Sequence, residues 1–141
     1  MPPDGATTRN TRKFGPVLVV EDDAVLALAV EDALLAGGAR DVTIAATTEQ
    51  AIETLRDGKF EAIILDVHLA DRGDGWAIAE VVRALGADAP KVIFATGSPQ
   101  DIPADIADLG PVLTKPYDFE ELVSHARSRG RTSLFSRLRR D

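Results

Sequence analysis

The stretch Phe60-Glu61-Ala62-Ile63-Ile64-Leu65-Asp66 decides how this chain is read. An apolar run without polar alternation suits a strand covered on both faces, the condition of a parallel sheet, and this run stops on a carboxylate. In open α/β sheets, ligands bind in the crevice outside the carboxyl ends of the strands. Asp66 therefore stands where chemistry is expected. Three other runs have the same form: Val17-Leu18-Val19-Val20 stops on Glu21-Asp22-Asp23, Val92-Ile93-Phe94-Ala95 stops on Thr96, and Val112-Leu113 is followed by Thr114 and Lys115. Runs that end on acids, a hydroxyl and an ammonium are expected to converge at one edge of a sheet.

Between these runs the pattern turns helical. Asp23 is the expected N-cap of a helix from Ala24, with Val25, Leu28, Ala29, Asp32 and Leu35 at near-helical spacing and Gly37-Gly38 as its stop. Val42, Ile44 and Ala46 predict a short second strand, and Thr47 or Thr48 caps a helix from Glu49 to about Arg56, ended by Asp57-Gly58. Val67 to Gly75 reads as a loop. Trp76 to Leu85 is a helix with apolar positions Ala77, Val81 and Leu85. Pro99 and Pro103 bracket a stretch in which only Ile102, Ile106 and Leu109 could form an apolar face, so a fourth helix is short and marginal. Asp118 caps the last helix, with Phe119, Leu122, Val123 and Ala126 as its core face. Five strands alternating with about five helices call for an α/β, doubly wound parallel sheet wrapped on both faces, and the flavodoxin-like order 2-1-3-4-5 is the common solution at this size.

A chain of 141 residues is one ordinary domain. We read residues 1–13, rich in Pro, Gly, Thr and Asn, as a disordered lead-in, 14–129 as the domain, and 130–141 as a basic tail carrying Leu134, Phe135 and Leu138. With no cysteine, disulfide and thiolate chemistry are excluded. No apolar run is long enough for a membrane span or a signal-peptide core, and a cytosolic protein is expected. The net charge of −7 is unevenly spread: the body from 14 to 124 holds seven Lys and Arg against 21 Asp and Glu, a net −14. Such a surface disfavours nucleic acid, which needs clustered cations, and suits a divalent metal ion.

Glu21-Asp22 after the first strand, Asp66 ending the third, Thr96 ending the fourth and Lys115-Pro116 after the fifth resemble, in that order and spacing, the receiver domain of two-component response regulators over roughly residues 16–126. The resemblance implies a stand-alone receiver that takes a phosphoryl group onto Asp66 from a sensor histidine kinase or a phosphotransfer protein. The implied ligands of Mg²⁺ are Glu21, Asp22, Asp66 and the backbone carbonyl of His68. Lys115 would pair with a phosphoryl oxygen, and the Thr96 hydroxyl would donate to another. This chemistry needs those types, because a transferring phosphoryl group carries charge on its oxygens and is helped mainly by positioning and neutralisation, while clustered carboxylates need a cation to stay ionised together. No turnover of an external substrate is implied, only gain and loss of phosphate at Asp66. His68 and Ser98 fall where the family tunes phosphate lifetime.

There are departures from that pattern. The loop after Asp66 is longer than usual and has Ala70 in place of proline, and the position three before the lysine, usually a switching aromatic, is Val112. Phe94-Ala95-Thr96-Gly97 is similar to the FAT GUY receivers, although Ser98-Pro99 is not. Other readings exist for the same residues. Glu21-Asp22-Asp23 alone could be a capped helix start, and the whole could be a receiver fold used as a phosphorylation-independent interaction module. A haloacid-type phosphatase is disfavoured because it wants a second aspartate at the position of His68. No output domain is expected after the last helix, and the tail could form a basic amphipathic helix for a partner or an anionic surface.

Overall fold

The computed structural model describes residues 13–66 and 76–128. The lead-in over 1–12, the loop from Val67 to Gly75 with His68 and Ala70, and the tail over 130–141 lie outside the described residues. Five strands, β1 (Val17–Val20), β2 (Val42–Ala45), β3 (Ala62–Leu65), β4 (Lys91–Thr96) and β5 (Val112–Thr114), form one sheet in the order β2-β1-β3-β4-β5. Every pairing is parallel, with Val20 opposite Ala45 and Leu65, Leu65 opposite Phe94, and Thr96 opposite Thr114. The register aligns the carboxyl ends, so the residues that follow the strands share one edge.

The helices are α1 (Ala24–Ala36), α2 (Thr48–Asp57), α3 (Trp76–Leu85), α4 (Ala104–Ala107) and α5 (Phe119–Arg127). Their starts follow capping chemistry. The Asp23 carboxylate accepts from the Val25 and Leu26 amides at 3.0 and 3.1 Å, Thr47 Oγ1 from the Gln50 amide at 3.1 Å, and Asp118 from the Glu120 amide at 2.9 Å. α4 is a single turn of four residues, preceded by a 3₁₀ turn at Pro99–Asp101. Its Ile106 is buried together with Ile102, and Leu109 packs beside them.

Alternate residues of each strand feed two cores, as the period of two requires. On one face Leu18, Val20, Ile63, Leu65, Val92 and Phe94 meet α2, α3 and Ile106 of α4. On the other Val17, Val19, Ile64, Ile93, Ala95 and Leu113 meet α1 and α5. All four residues of β1 and of β3 are buried, as the unbroken apolar runs predict.

Two helices are rotated from the expected phase. In α1 the core side is Ala27, Val30 and Leu34, while Val25, Leu28 and Leu35 are 79, 57 and 45% exposed and Asp32 lies outside with them. In α3 Ile78, Ala79 and Val82 are buried, while Ala77 is exposed, Leu85 is 37% exposed and Val81 is half-buried. α1 is apolar most of the way round, so spacing alone left its inward side open; in α3, where Glu80 and Arg83 give a polar side, packing against the sheet still turned the buried set to Ile78, Ala79 and Val82.

Candidate functional site

The site forms at the carboxyl edge, where the chain leaves β1, β3, β4 and β5. Glu21 continues the ladder past β1 through its amide to the Ala45 carbonyl at 3.0 Å, and Asp66 does the same past β3, its amide donating to the Val20 carbonyl at 3.0 Å. Because Val20 and Leu65 are partners across β1 and β3, the two acids that follow them are neighbours by register. Both are buried, at 4 and 5% exposure. Lys115 reaches in from the end of β5 and bridges them, its Nζ 3.0 Å from Glu21 Oε1 and 3.1 Å from Asp66 Oδ2. The Lys115 amide donates to the Thr96 carbonyl at 2.8 Å, which ties the lysine's backbone to the end of β4.

Each acid after β1 has a separate task. The second oxygen of Glu21 accepts from the Asp23 amide at 3.1 Å, and Asp23 spends its own carboxylate on the α1 cap. Asp22 between them is exposed. One carboxylate oxygen from each of Glu21, Asp22 and Asp66 lies within 4.8 Å of the others. With Lys115 counted, three carboxylates and one ammonium leave two negative charges, a hard-oxygen set with the charge of a divalent cation's counterpart. These residues fit a magnesium ion, which is held by one or two carboxylates with water and phosphate oxygens filling the remaining positions.

Burial pushes the Glu21 carboxyl above its ordinary range, an effect that the bonds from Lys115 and the Asp23 amide reduce but do not cancel. Burial also works against the charge on Lys115, yet the bond to Glu21 and the pull of Asp66 outweigh it and raise the lysine. Lys115 is thus an ammonium held between two acids. Thr96 is fully buried, and its Oγ1 accepts from the Ser98 amide at 3.0 Å, which leaves the hydroxyl proton to donate elsewhere. Gly97 between them is exposed with open space where a Cβ would be.

One residue near the site was not picked out from the sequence. Tyr117 follows Lys115-Pro116, a cis peptide, and packs its ring against Phe119 with centroids 5.8 Å apart. Burial first, and then the negative charge of Glu21, push its phenol up to about 12. Its position two residues after the lysine was the available signal. Val112, in the usual place of the switching aromatic, is half-buried in β5 beside the α4 core.

The response regulator receiver domain model matches residues 17–127. The chain belongs to the response regulator receiver family. This receiver is 33% identical over 124 residues to the transcriptional regulatory protein DltR of Streptococcus agalactiae serotype III, covering 86% of this chain and 54% of that protein. It is 32% identical over 108 residues to the transcriptional regulatory protein ZraR of Escherichia coli K12, covering 75% of this chain and 24% of that protein. The receiver therefore spans about half or less of the length of these relatives. Among solved structures, it is similar to the receiver domain of the PhyR response regulator of Erythrobacter litoralis, with a TM-score of 0.67, 27% identity, and coverage of 80% of this chain and 87% of that one. It is similar too to the receiver domain of sensor histidine kinase PA1611 from Pseudomonas aeruginosa PAO1, which has a magnesium ion coordinated in its active site cleft: TM-score 0.62, 27% identity, 75% of this chain and 88% of that one. Among the described residues, no helix is long and apolar enough to cross a membrane.

Proposed function

We propose that this receiver takes a phosphoryl group from a phosphohistidine, on a sensor histidine kinase or a phosphotransfer protein, onto Asp66. The observation that carries the reading is the pair of buried carboxylates, Glu21 and Asp66, bridged by Lys115 at the end of the sheet where Thr96 also ends its strand. Asp66 is the nucleophile: a carboxylate oxygen attacks phosphorus, the P–N bond of the donor breaks, and the imidazole leaves and takes up a proton. Lys115 turns from the Asp66 carboxylate to an oxygen of the arriving phosphoryl group, and the Thr96 hydroxyl donates to a second oxygen. Glu21, Asp22 and Asp66 would hold the magnesium ion, with the His68 carbonyl completing the set. That ion supplies charge neutralisation at the phosphoryl oxygens. Phosphate is lost when water attacks the same phosphorus, which restores the carboxylate and releases inorganic phosphate. No other substrate is turned over.

The four-residue α4 and the exposed Gly97 after Thr96 support a readout in which the β4–α4 connection orders around the phosphoryl group, as in the FAT GUY receivers. The product is either a conformational signal to a partner or the drainage of phosphate from a kinase.

The test is intact mass after incubation with acetyl phosphate and Mg²⁺, wild type beside Asp66→Asn. A single phosphoryl adduct is expected in the wild type, absent from the variant and absent when EDTA is added. An adduct of equal size on folded Asp66→Asn would remove Asp66 from the role of nucleophile.

A further inference from the structure

The side chains of the site divide between the two faces of the sheet. Glu21, Asp66 and Lys115 each continue the ladder beyond their strand, their amides donating to the carbonyls of Ala45, Val20 and Thr96, so the alternation of faces runs on through them. Val19, Ile64 and Leu113, two residues earlier in each case, belong to the core under α1 and α5. Glu21, Asp66 and Lys115 therefore lean to that face. Thr96 follows Phe94 by two, and Phe94 belongs to the core under α2, α3 and α4. The hydroxyl of the site is thus on one face, and its two buried acids and its ammonium are on the other.

Tyr117, the single tyrosine of the chain, lies with the acids. It packs against the same core as Val19, Ile64 and Leu113, its ring meets Phe119 of α5, and it is half-buried. Its phenol makes no hydrogen bond among the described residues. Burial and the charge of Glu21 keep that phenol protonated, so it stands on the face of the acids as an uncommitted donor. Glu21 has a use for one. It is 4% exposed, and one of its oxygens accepts from the Asp23 amide while the other, Oε1, depends on Lys115. When Lys115 turns to a phosphoryl oxygen in the proposed reaction, Oε1 becomes a buried acceptor short of a donor, which is unfavourable. A carboxylate oxygen accepts at two sites, so a metal ion on Glu21 leaves room for a phenol.

We infer that Tyr117 is a positioning residue of the phosphorylated state: its O–H donates to Glu21 Oε1 once Lys115 is drawn to the phosphoryl group, and so frees the lysine from the acid to which it would otherwise return. The inference rests on the phosphoryl-transfer reading. Before transfer, Lys115 holds Glu21 and the phenol is idle. After transfer, the phenol holds Glu21 and Lys115 serves the phosphoryl group. Thr96 then responds on the α4 side of the sheet, and Tyr117, whose ring rests on Phe119, responds at the start of α5.

With one tyrosine in the chain, isotope labelling at the ring carbon Cζ gives a single carbon NMR signal, and fluorine NMR of the same sample reads bound beryllofluoride independently. With Mg²⁺ and beryllofluoride the Cζ signal is expected to move downfield, because donation to a carboxylate gives the phenol phenolate character; Mg²⁺ alone should leave it in place. Tyr117→Phe keeps the ring on Phe119, so it should bind Mg²⁺ as the wild type does in calorimetry, yet need about fivefold more beryllofluoride for half occupancy at saturating Mg²⁺. Bound fluoride with an unmoved Cζ signal, or with equal midpoints for wild type and variant, would overturn the role of Tyr117 alone. So would equal weakening of Mg²⁺ and beryllofluoride in the variant, since a disturbed fold would explain both. No bound fluoride in the wild type would remove the phosphoryl-transfer reading, and this inference with it.

Discussion

The corner where β1 turns into α1 and the corner where β4 turns into α4 deliver side chains to the same pocket with very different amounts of structure behind them. At the first, Glu21 stays in the sheet ladder, and Asp23 caps a helix of 13 residues whose Ala27, Val30 and Leu34 are buried. At the second, Thr96 is buried but is followed by exposed Gly97, a 3₁₀ turn and a helix of four residues. A four-residue helix forms only one or two of its own backbone bonds and depends on tertiary contact for its existence. Here that contact is mainly Ile102 and Ile106. The acids that would hold a metal ion are thus built into fixed structure, and the hydroxyl that would sense a phosphoryl group leads into the part that is cheapest to rearrange.

The sharpest way to break this contrast is a pair of glycine substitutions, one at the far end of each unit. A Cβ on Gly110, between α4 and β5, would land on the backbone carbonyl of Val92, which belongs to the sheet, whereas a Cβ on Gly37, after α1, would land on Cγ1 of Val123, a side chain that can turn. Gly110→Ala is expected to cost about 3 kcal/mol or more and Gly37→Ala about 1 kcal/mol, by urea unfolding. Equal costs would show that the α4 side yields as readily as the α1 side.

Removing the cation between the acids comes next in size. Lys115→Ala leaves Glu21 and Asp66 buried without their shared partner; for a lysine whose side chain is 27% exposed, the cost should be about 2 kcal/mol, below the range for fully buried pairs. Millimolar Mg²⁺ should recover more of that stability in Lys115→Ala than it adds to the wild type. No difference between the two would mean that the acids do not share a cation site.

A smaller effect is expected at high pH. Lys115 is raised above 10.5, and Tyr117 is raised from 10.0 to about 12. In both cases the native state keeps a proton that the unfolded chain gives up first, so the associated stability is complete below about pH 10 and is lost as the pH rises towards 12. Urea unfolding of Tyr117→Phe across this window should show a shallower decline than the wild type, with a difference of about 1 kcal/mol. Parallel curves would show that neither burial nor the charge of Glu21 raises the phenol.

The smallest expected change, and the one that most refines the contrast, is in hydrogen exchange. Without a phosphoryl group, amides from Gly97 to Leu109 should exchange faster than those of Ala27 to Leu34. Beryllofluoride with Mg²⁺ should slow Gly97 to Leu109 several-fold and leave α1 nearly unchanged. Unchanged exchange at Gly97 to Leu109 would sink the ordering model.

Much of the site was legible because it lies where strands end. A parallel strand covered on both faces must be apolar throughout, so the point where Ala62-Ile63-Ile64-Leu65 meets Asp66 marks a strand end without any knowledge of contacts, and the same holds for Val20 before Glu21 and Ala95 before Thr96. Caps were legible for a similar reason, since Asp23, Thr47 and Asp118 satisfy amides a few residues away. Helix phase was not. In α1, Leu28 and Leu34 are the same residue type, and one is 57% exposed while the other is fully buried. In α3, Ala77 and Ala79 divide in the same way.

What the sequence determined by itself is therefore local or one-dimensional: where each element starts and stops, which residue follows each strand, and that the strands must be sandwiched between helices. Only the tertiary structure decided which side of an all-round apolar helix faces inward, that Lys115 bridges Glu21 and Asp66 rather than resting in solvent, and that Tyr117 lies within their field. These depend on distances between residues as far apart as 94 positions in the chain, and burial energy, which is non-directional and nearly equal for either face of such a helix, carries no record of them in local spacing.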